Sequence, residues 1–478
     1  MRRGHFSLTD LPAWCALNDV TFVNVKAADI GGRGYGLIAE RDLVNEDDNF
    51  ELPTLLTVPK ELIISAEGVA EYARENKEFR QLLDAAGHRS TRGDILLFLL
   101  VQLVLSSPDY EGGHGPSIPW TQYFSLLPAQ VPVPTMWTES ELSLLRGTSL
   151  ESAVSAKLSV LTKEFDELRA KVSELPYWDE LLSIDEAVTT HDWVLLDALY
   201  RSRSLGLPKS GESMVPCLDL VNHSSNPTAY FEENGKGETV LYLRKGYAVS
   251  SGSEITIDYG QDKSPAEFLF SYGFIDPDST AKSLVLPLEP MDDDPLGLAK
   301  LHAFGTPPKL RLSENEDGSL QWVGPFVYLM CLNEEDGLRF RVIQETDGSR
   351  HLGMFWNETD ITAVPQTIQD LIRGHELERI FELRAVTVVL GIIQDQMRQL
   401  ADGQDEDRIP GLARVEIAQA TSRLRTLEAE MLEESLSILE DQRSQLLSDP
   451  TVVEYLRLME HNQDDHNMET DHNEDDFS

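Results

Sequence analysis

The chain reads as one sheet-forming unit cut in two by a long helical stretch, and this interruption constrains its fold more than any other feature. From Val20 to Pro59, short strand signals alternate with turns: a TFVNV run, a glycine-dense GGRGYGLIA, then ELPTLLTVP. From about Lys60 to Leu205 the period changes, with apolar residues three and four apart in Ile95–Leu105, Leu158–Leu168 and Trp193–Tyr200. Strand signals return in AYFEEN, TVLYLRKGYAV and SEITIDYG, which are rich in β-branched and aromatic residues and separated by glycine-containing turns. The sheet is therefore completed late in the sequence. The pattern predicts an α+β fold with a β-unit over about 20–280, a helical insertion at about 60–205, and an N-terminal extension at 1–19. Within the insertion, Thr138 or Ser140 is placed to cap a helix in WTESELSLLRGT.

After Pro277 the character changes. An acidic Pro/Asp-rich linker near Met291–Pro295 leads into a mixed segment and then long helices from about Pro365, and residues 281–460 are expected to form a mainly helical, in class all-α, lobe. One helix near Leu412–Leu447 carries the apolar stripe Leu412, Val415, Leu424, Leu427, Met431 and Ile438 beside many Glu and Arg residues, as a packing helix of a second domain should. From His461 to Ser478 almost nothing is apolar, which predicts a disordered acidic tail; His466 and His472 there lack ligand spacing.

At 478 residues the chain exceeds the roughly 250–300 at which one hydrophobic core stops growing, so two domains are expected. The net charge of −42 repels phosphate backbones and anionic lipid and attracts cationic proteins, which argues against nucleic acid and membrane partners and for a basic protein partner. The three cysteines, Cys15, Cys217 and Cys331, form no CxxC pair and no zinc-ligand spacing, so neither a disulfide framework nor a metal site is expected. The basic N-terminus is not followed by the apolar run of a signal peptide. The longest apolar run, Ile95–Leu105 with only Gln102 interrupting, is far short of the roughly 20 residues that span a bilayer and reads as a buried helix. An intracellular monomer, cytoplasmic or nuclear, is the expectation.

The chemistry-bearing signals are local. GGRGYG alone marks only a tight turn, since it lacks the strand, helix and acidic residue of a dinucleotide fingerprint. PCLDLVNHSSNP at Pro216–Pro227 is more specific, and it is followed by DYG at Asp258–Gly260 and SYGF at Ser271–Phe274.

An RGxG turn, then NHS, then DYG and YGF, in this order, resembles a SET domain. The helical insertion, the RSR at Arg201–Arg203 and the missing post-SET cysteines resemble the branch that contains Rubisco large-subunit, ribosomal-protein and related lysine methyltransferases. The resemblance rests on motifs over residues 20–280 and on architecture alone beyond. It implies an S-adenosylmethionine-dependent protein-lysine methyltransferase whose C-terminal lobe binds substrate, the substrate being a basic, ribosomal or translation-related protein. A non-catalytic module for a basic partner and a histidine-directed enzyme are the alternatives.

Transfer of a methyl group from a sulfonium to an amine requires alignment and an uncharged nucleophile. Free lysine, with a pKa of about 10.4, is protonated at neutral pH, and a narrow channel of low polarity lowers that value by desolvation. By the resemblance, Tyr259 orients the sulfonium and the amine, and Tyr272 and Phe274 line the lysine channel. Asn222 and His223 bind the cofactor, His223 partly through its backbone; Arg33, Gly34 and Tyr35 wrap its other end, and Arg203 meets its carboxylate. Ser202 and Asp219 lie near the incoming lysine. Other readings stay open: Asp219 as a turn cap, and His223 as the residue that fixes the NHS turn. Two departures from the family pattern stand out. NEDDNFEL at Asn45–Leu52 replaces the usual Gly-Glu turn, and Tyr35 is bulky where small residues are common, either stacking on the cofactor or covering the loop.

Overall fold

The computed structural model describes residues 6–45, 53–108, 118–183, 188–279, 281–315, 317–344, 348–363, 367–405 and 413–459. The expected acidic tail and most of the NEDDNFEL turn lie outside the described residues. The chain divides into two compact units, Met1–Leu142 with Ser152–Thr280, and Ser143–Glu151 with Ala281–Ser478.

In the first unit, early and late strands do pair across the insertion. One antiparallel sheet runs in the order Thr21–Phe22, Thr54–Val58, Thr239–Leu243, Ala229–Glu233. A second runs Val25–Asp29, Tyr35–Ala39, Glu254–Ile257, Asn222–His223. Its last pairing is parallel, with Thr256 opposite Asn222 and Ile257 opposite His223. This register sets the NHS motif beside the strand that ends in DYG.

Insertion helices share one hydrophobic core with these sheets. The apolar run lies in the helix Thr91–Ser106, buried at every position from Ile95 to Val104 and capped by the Ser90 hydroxyl, which accepts from Gly93 N–H at 3.0 Å. Among the described residues no helix is long and apolar enough to cross a membrane. Phe98 meets Tyr72, Phe79 and Trp120 edge-on at 5.1, 6.3 and 6.2 Å between ring centroids. Truncating such a ring to Ala costs about 3–5 kcal/mol in a packed core. Thr138 makes the expected cap, accepting from Glu141 N–H at 3.4 Å while its own N–H donates to the Glu141 carboxylate at 3.0 Å. The helix Thr190–Arg203 starts from a capping box of Thr189 and Asp192 and runs directly into the strand Ser204–Leu207, which delivers Ser202 and Arg203 to the sheet.

The N-terminal segment is part of this core. In the helix Leu11–Leu17, Leu11, Trp14 and Cys15 are buried, and Trp14 packs on Tyr123 at 5.1 Å. Cys15 and Cys217, remote in sequence, bring their sulfurs to 3.8 Å.

The second unit corrects the all-α expectation for 281–460, while the α+β class of the chain holds. It contains two three-stranded antiparallel sheets, Ser283–Pro287 with Lys309–Glu314 and Leu320–Val323, and Leu338–Gln344 with Arg350–Trp356 and Thr359–Asp360. These strands are short and have a period of two, as in KLRLSE, where Leu310 and Leu312 are buried between exposed neighbours. Short helices, Gly297–Phe304, Pro325–Met330 and Ile368–Ile372, lie among and after them, and the long helices are Glu378–Asp405 and Val415–Leu447. Along the latter helix Leu424 and Met431 are buried as expected, but Val415 and Ile438 are exposed, and the buried face also carries Thr421, Arg425, Glu428 and Ser435. Arg425 satisfies the carbonyls of Leu400, Leu144 and Gly403, and Glu428 accepts from Ser149 N–H at 3.1 Å. The stripe is therefore partly polar because it seats the backbone of residues 143–151.

Candidate functional site

Two neighbouring clusters in the first unit gather most of the expected residues. The first surrounds the glycine turn. Gly31–Arg33 forms a single 3-10 turn closed by Gly34, which has φ +74°, a backbone conformation that favours glycine. Arg33 then reaches across the sheet and donates to the Glu254 carboxylate at 2.8 Å and to the His223 carbonyl at 2.5 Å. Asn222 donates its amide to the other Glu254 oxygen at 2.7 Å and to the Tyr35 carbonyl at 3.3 Å. Glu254 thus fixes both groups. Gly36 makes the approach possible, since a Cβ there would lie 2.7–2.9 Å from Ile30, Asn222 and Glu254 side-chain atoms. Tyr35 remains 39% exposed at the edge of this cluster.

The second cluster walls a cavity of about 140 Å³ lined by Ser202, Arg203, Asp219, Tyr259, Lys263 and Tyr272, with Val221 and Asp258 among its other walls. The Tyr259 hydroxyl donates to the Val221 carbonyl at 2.7 Å, and its ring meets Tyr272 at 4.6 Å between centroids. The Tyr272 hydroxyl donates to the Tyr259 carbonyl at 3.3 Å. Both phenols are held neutral. Burial raises Tyr259 well above the ordinary tyrosine value against the opposing pull of Arg203, and burial, aided by Asp258, pushes Tyr272 up to about 12. Val221 lines the cavity while Asn222, the next residue, faces the Arg33 cluster, so one short strand joins the two.

The His223 ring packs on Tyr259 at 5.3 Å between centroids but is absent from the cavity lining. Its Nδ1 accepts from the Tyr259 N–H at 3.1 Å, which leaves Nε2 to donate to Asp276 at 3.1 Å. Ser225 also donates to Asp276. Burial raises the Asp276 pKa, but the hydrogen bonds from Ser225, the Asp278 N–H and His223 outweigh it and hold the group below the ordinary value. The imidazole thus ties the NHS turn to Tyr259 and Asp276, and the His223 backbone carbonyl accepts from Arg33.

The other expected residues take the following places. Phe274 is absent from the cavity lining. Gly273, at φ +83°, ends the helix Pro265–Tyr272 in a left-handed turn, and Phe274 then packs on Phe268 and His223 at 5.6 and 6.1 Å. Asp219 borders the cavity, but its buried carboxylate is engaged by Arg203 at 3.0 Å and by the Tyr123 hydroxyl at 2.5 Å, so it is not left to attract a cationic head. Burial raises its pKa although Arg203 and Tyr123 pull the other way. Arg203 reaches Asp219 through one nitrogen, Nη1, which donates to both its carboxylate and its carbonyl at 3.0 Å. Ser202 lines the cavity, with its hydroxyl donated back to the Ala198 carbonyl at 2.7 Å.

Sequence reasoning missed Glu254, Gly36, Tyr123, Lys263 and Asp276. Gly36 and Glu254 lie inside segments singled out above, Lys263 and Asp276 lie shortly after DYG and SYGF, and Tyr123 lies in none; what identifies all of them is their partners across the fold.

A SET-domain fold with a helical insertion is what these sheets and this tyrosine-walled cavity define. The fold matches the SET domain of LSMT bound to methyllysine and AdoHcy with a TM-score of 0.65 over 93% of both chains at 21% identity. It matches Rubisco LSMT bound to AdoMet with a TM-score of 0.64 over 92% of both chains, again at 21% identity. No protein-family model matches the chain. Among curated proteins it is 29% identical over 408 residues to SET domain-containing protein 8 of Schizosaccharomyces pombe, covering 84% of this chain and 89% of that protein. It is 29% identical over 295 residues to the chloroplastic Rubisco large-subunit N-methyltransferase of Pisum sativum, covering 58% of this chain but only 54% of that enzyme. The actin-histidine N-methyltransferase of Mus musculus is 21% identical over 339 residues, 68% of this chain and 53% of that enzyme. The chain is thus similar in fold to the SET domain of LSMT, and in sequence to SET-domain proteins that include Rubisco large-subunit N-methyltransferases.

Proposed function

We propose that the protein transfers a methyl group from S-adenosylmethionine to the side-chain amine of lysine in a basic protein, ribosomal or translation-related. The observation that carries this reading is the position of Tyr259, one residue whose phenol closes the cavity and whose backbone is tied through His223 to the strand bearing Asn222. The cofactor supplies an electrophilic methyl group. The residues present suit it: an exposed aromatic ring at Tyr35 for a flat base, and the Asn222 amide and Arg33 guanidinium, held by Glu254, for its polar ends.

The cavity does the rest of the chemistry. Tyr259 and Tyr272 form low-polarity walls that favour the neutral form of an entering amine. The Tyr259 hydroxyl and the carbonyl oxygens around it orient that amine and accept polarised C–H groups. The charge of −42 favours encounter with a cationic protein. We place the protein inside the cell, acting as a monomer on protein rather than on nucleic acid or membrane.

The likeness to actin-histidine methyltransferases supports a second reading with histidine as the acceptor. One experiment separates the two. Purified protein given labelled S-adenosylmethionine and an acid-soluble extract of cells lacking this gene should label a small number of basic proteins, and mass spectrometry of the modified site should find methyllysine. Methylhistidine at that site establishes the second reading, and no label with intact S-adenosylhomocysteine binding removes both.

A further inference from the structure

Lys263, four residues beyond Tyr259, is unused by the reading above, yet it lines the same cavity. Its Nζ donates to the Tyr259 carbonyl and stands 5.8 Å from the centre of the Tyr272 ring. Gly260 makes room for it: the residue has φ +128°, and a Cβ there would lie 2.5 Å from Lys263 Nζ. The ammonium is therefore built into the cavity wall by two of the motifs, DYG and SYGF, at once.

The charges around the cavity give this position a meaning. Its lining holds two carboxylates, Asp219 and Asp258, and two cations, Arg203 and Lys263. Arg203 neutralises Asp219 at 3.0 Å. Asp258 accepts the Gly260 N–H at 2.8 Å and has His223 Nδ1 at 3.9 Å. That imidazole is neutral by its hydrogen-bonding pattern and supplies no compensating charge. On the far side of Tyr259, Arg33 is matched by Glu254. Tyr259 and Tyr272 carry no charge at neutral pH. Lys263 is thus the remaining cation of the lining to set against Asp258, not as a direct ion pair but across the cavity wall, and without it the charged side chains of the lining sum to one net negative charge.

We infer that Lys263 balances the acidic wall of the cavity so that an entering amine loses its proton there, which makes it a residue that tunes the protonation of the acceptor. The inference rests on the lysine reading of the cavity. A like charge across a small, partly desolvated space disfavours the ammonium form, whereas an uncompensated carboxylate would stabilise it and hold the acceptor in its unreactive state. A histidine acceptor, neutral over most of the physiological range, would gain little from such a device.

The test uses full-length protein with S-adenosylhomocysteine and Nα-acetyl-lysine amide carrying carbon-13 at the ε position, whose chemical shift reports protonation of the bound amine. In Lys263→Gln, which keeps an N–H donor for the Tyr259 carbonyl but not the charge, the inflection should move up by about one pH unit, equivalent to about a tenfold smaller fraction of neutral amine below it. Lys263→Met should move it likewise, and Lys263→Arg should hold it at the wild-type position. An unchanged inflection in Lys263→Gln overturns the inference and leaves the methyltransferase reading intact, even if turnover falls. Wild-type protein that binds S-adenosylhomocysteine but not the acceptor amide overturns the lysine reading and this inference together. Protein that binds neither overturns the assignment of the whole site.

Discussion

His223 Nδ1 accepts the backbone N–H of Tyr259 at 3.1 Å, so the histidine of the NHS motif anchors the DYG motif. His223→Ala should therefore separate two properties. Turnover should fall about tenfold or more because Tyr259 loses its backbone anchor, an effect of the size that small misplacements of reacting groups produce. Affinity for S-adenosylhomocysteine should stay within about threefold, because Arg33 contacts only the residue 223 carbonyl, which the variant keeps. Calorimetry beside a labelled-methyl assay checks both.

Tyr259→Phe removes the donor to the Val221 carbonyl and the hydroxyl nearest the cavity. The expected result is a turnover lower by roughly 10²-fold with cofactor affinity little changed. Equal labelling of basic protein by the variant and the wild type would refute the role given to this phenol.

At Gly36 a methyl group is incompatible with Asn222 and Glu254 side-chain atoms that would lie 2.8 and 2.9 Å away. Gly36→Ala should weaken S-adenosylhomocysteine binding by about tenfold, or about 1.4 kcal/mol. Glu254→Gln, which keeps its shape but loses the charge matched to Arg33, should weaken it by less. Calorimetric titration of the two variants, with circular dichroism as a folding control, gives the comparison.

In the second unit, burial pushes the Glu428 carboxyl up to about 7, against hydrogen bonds from Ser149 that lower it. The folded state thus holds this proton more tightly than the unfolded chain, whose value is the ordinary 4.5. Stability from this group is fully present below about 4.5, declines as pH rises to about 7 and is flat above, a total on the order of 3 kcal/mol. Glu428→Gln should abolish this slope and make the protein more stable than wild type at pH 8. Urea unfolding at pH 5, 6, 7 and 8 measures it.

Much of this architecture is legible in the amino-acid order because its signals are local. The apolar run that forms Thr91–Ser106, the capping residue Thr138, and the interruption of the strands by helices all declare themselves within short windows. So do the motif residues Asn222, Tyr259 and Tyr272. What stays hidden is pairing at long range. Glu254 is one acidic residue among 82 until the register of its strand sets it against Asn222 and Arg33. Asp219 looks available for substrate until Arg203 and Tyr123 are found on it. The hairpins of 283–360 are hidden for another reason: each strand is too short, and too frequently broken by turns, for its alternation to stand out beside the long helices that follow.

The N-terminal helix has a bearing on how this protein can be handled. Trp14 packs on Tyr123, Tyr123 holds Asp219 and the Cys217 N–H, and Asp219 holds Arg203. A polypeptide begun at Val20 would leave that phenol bare on one side and slacken the arginine two links away, so a trimmed version that looked folded would still be an unsafe basis for declaring the protein inactive.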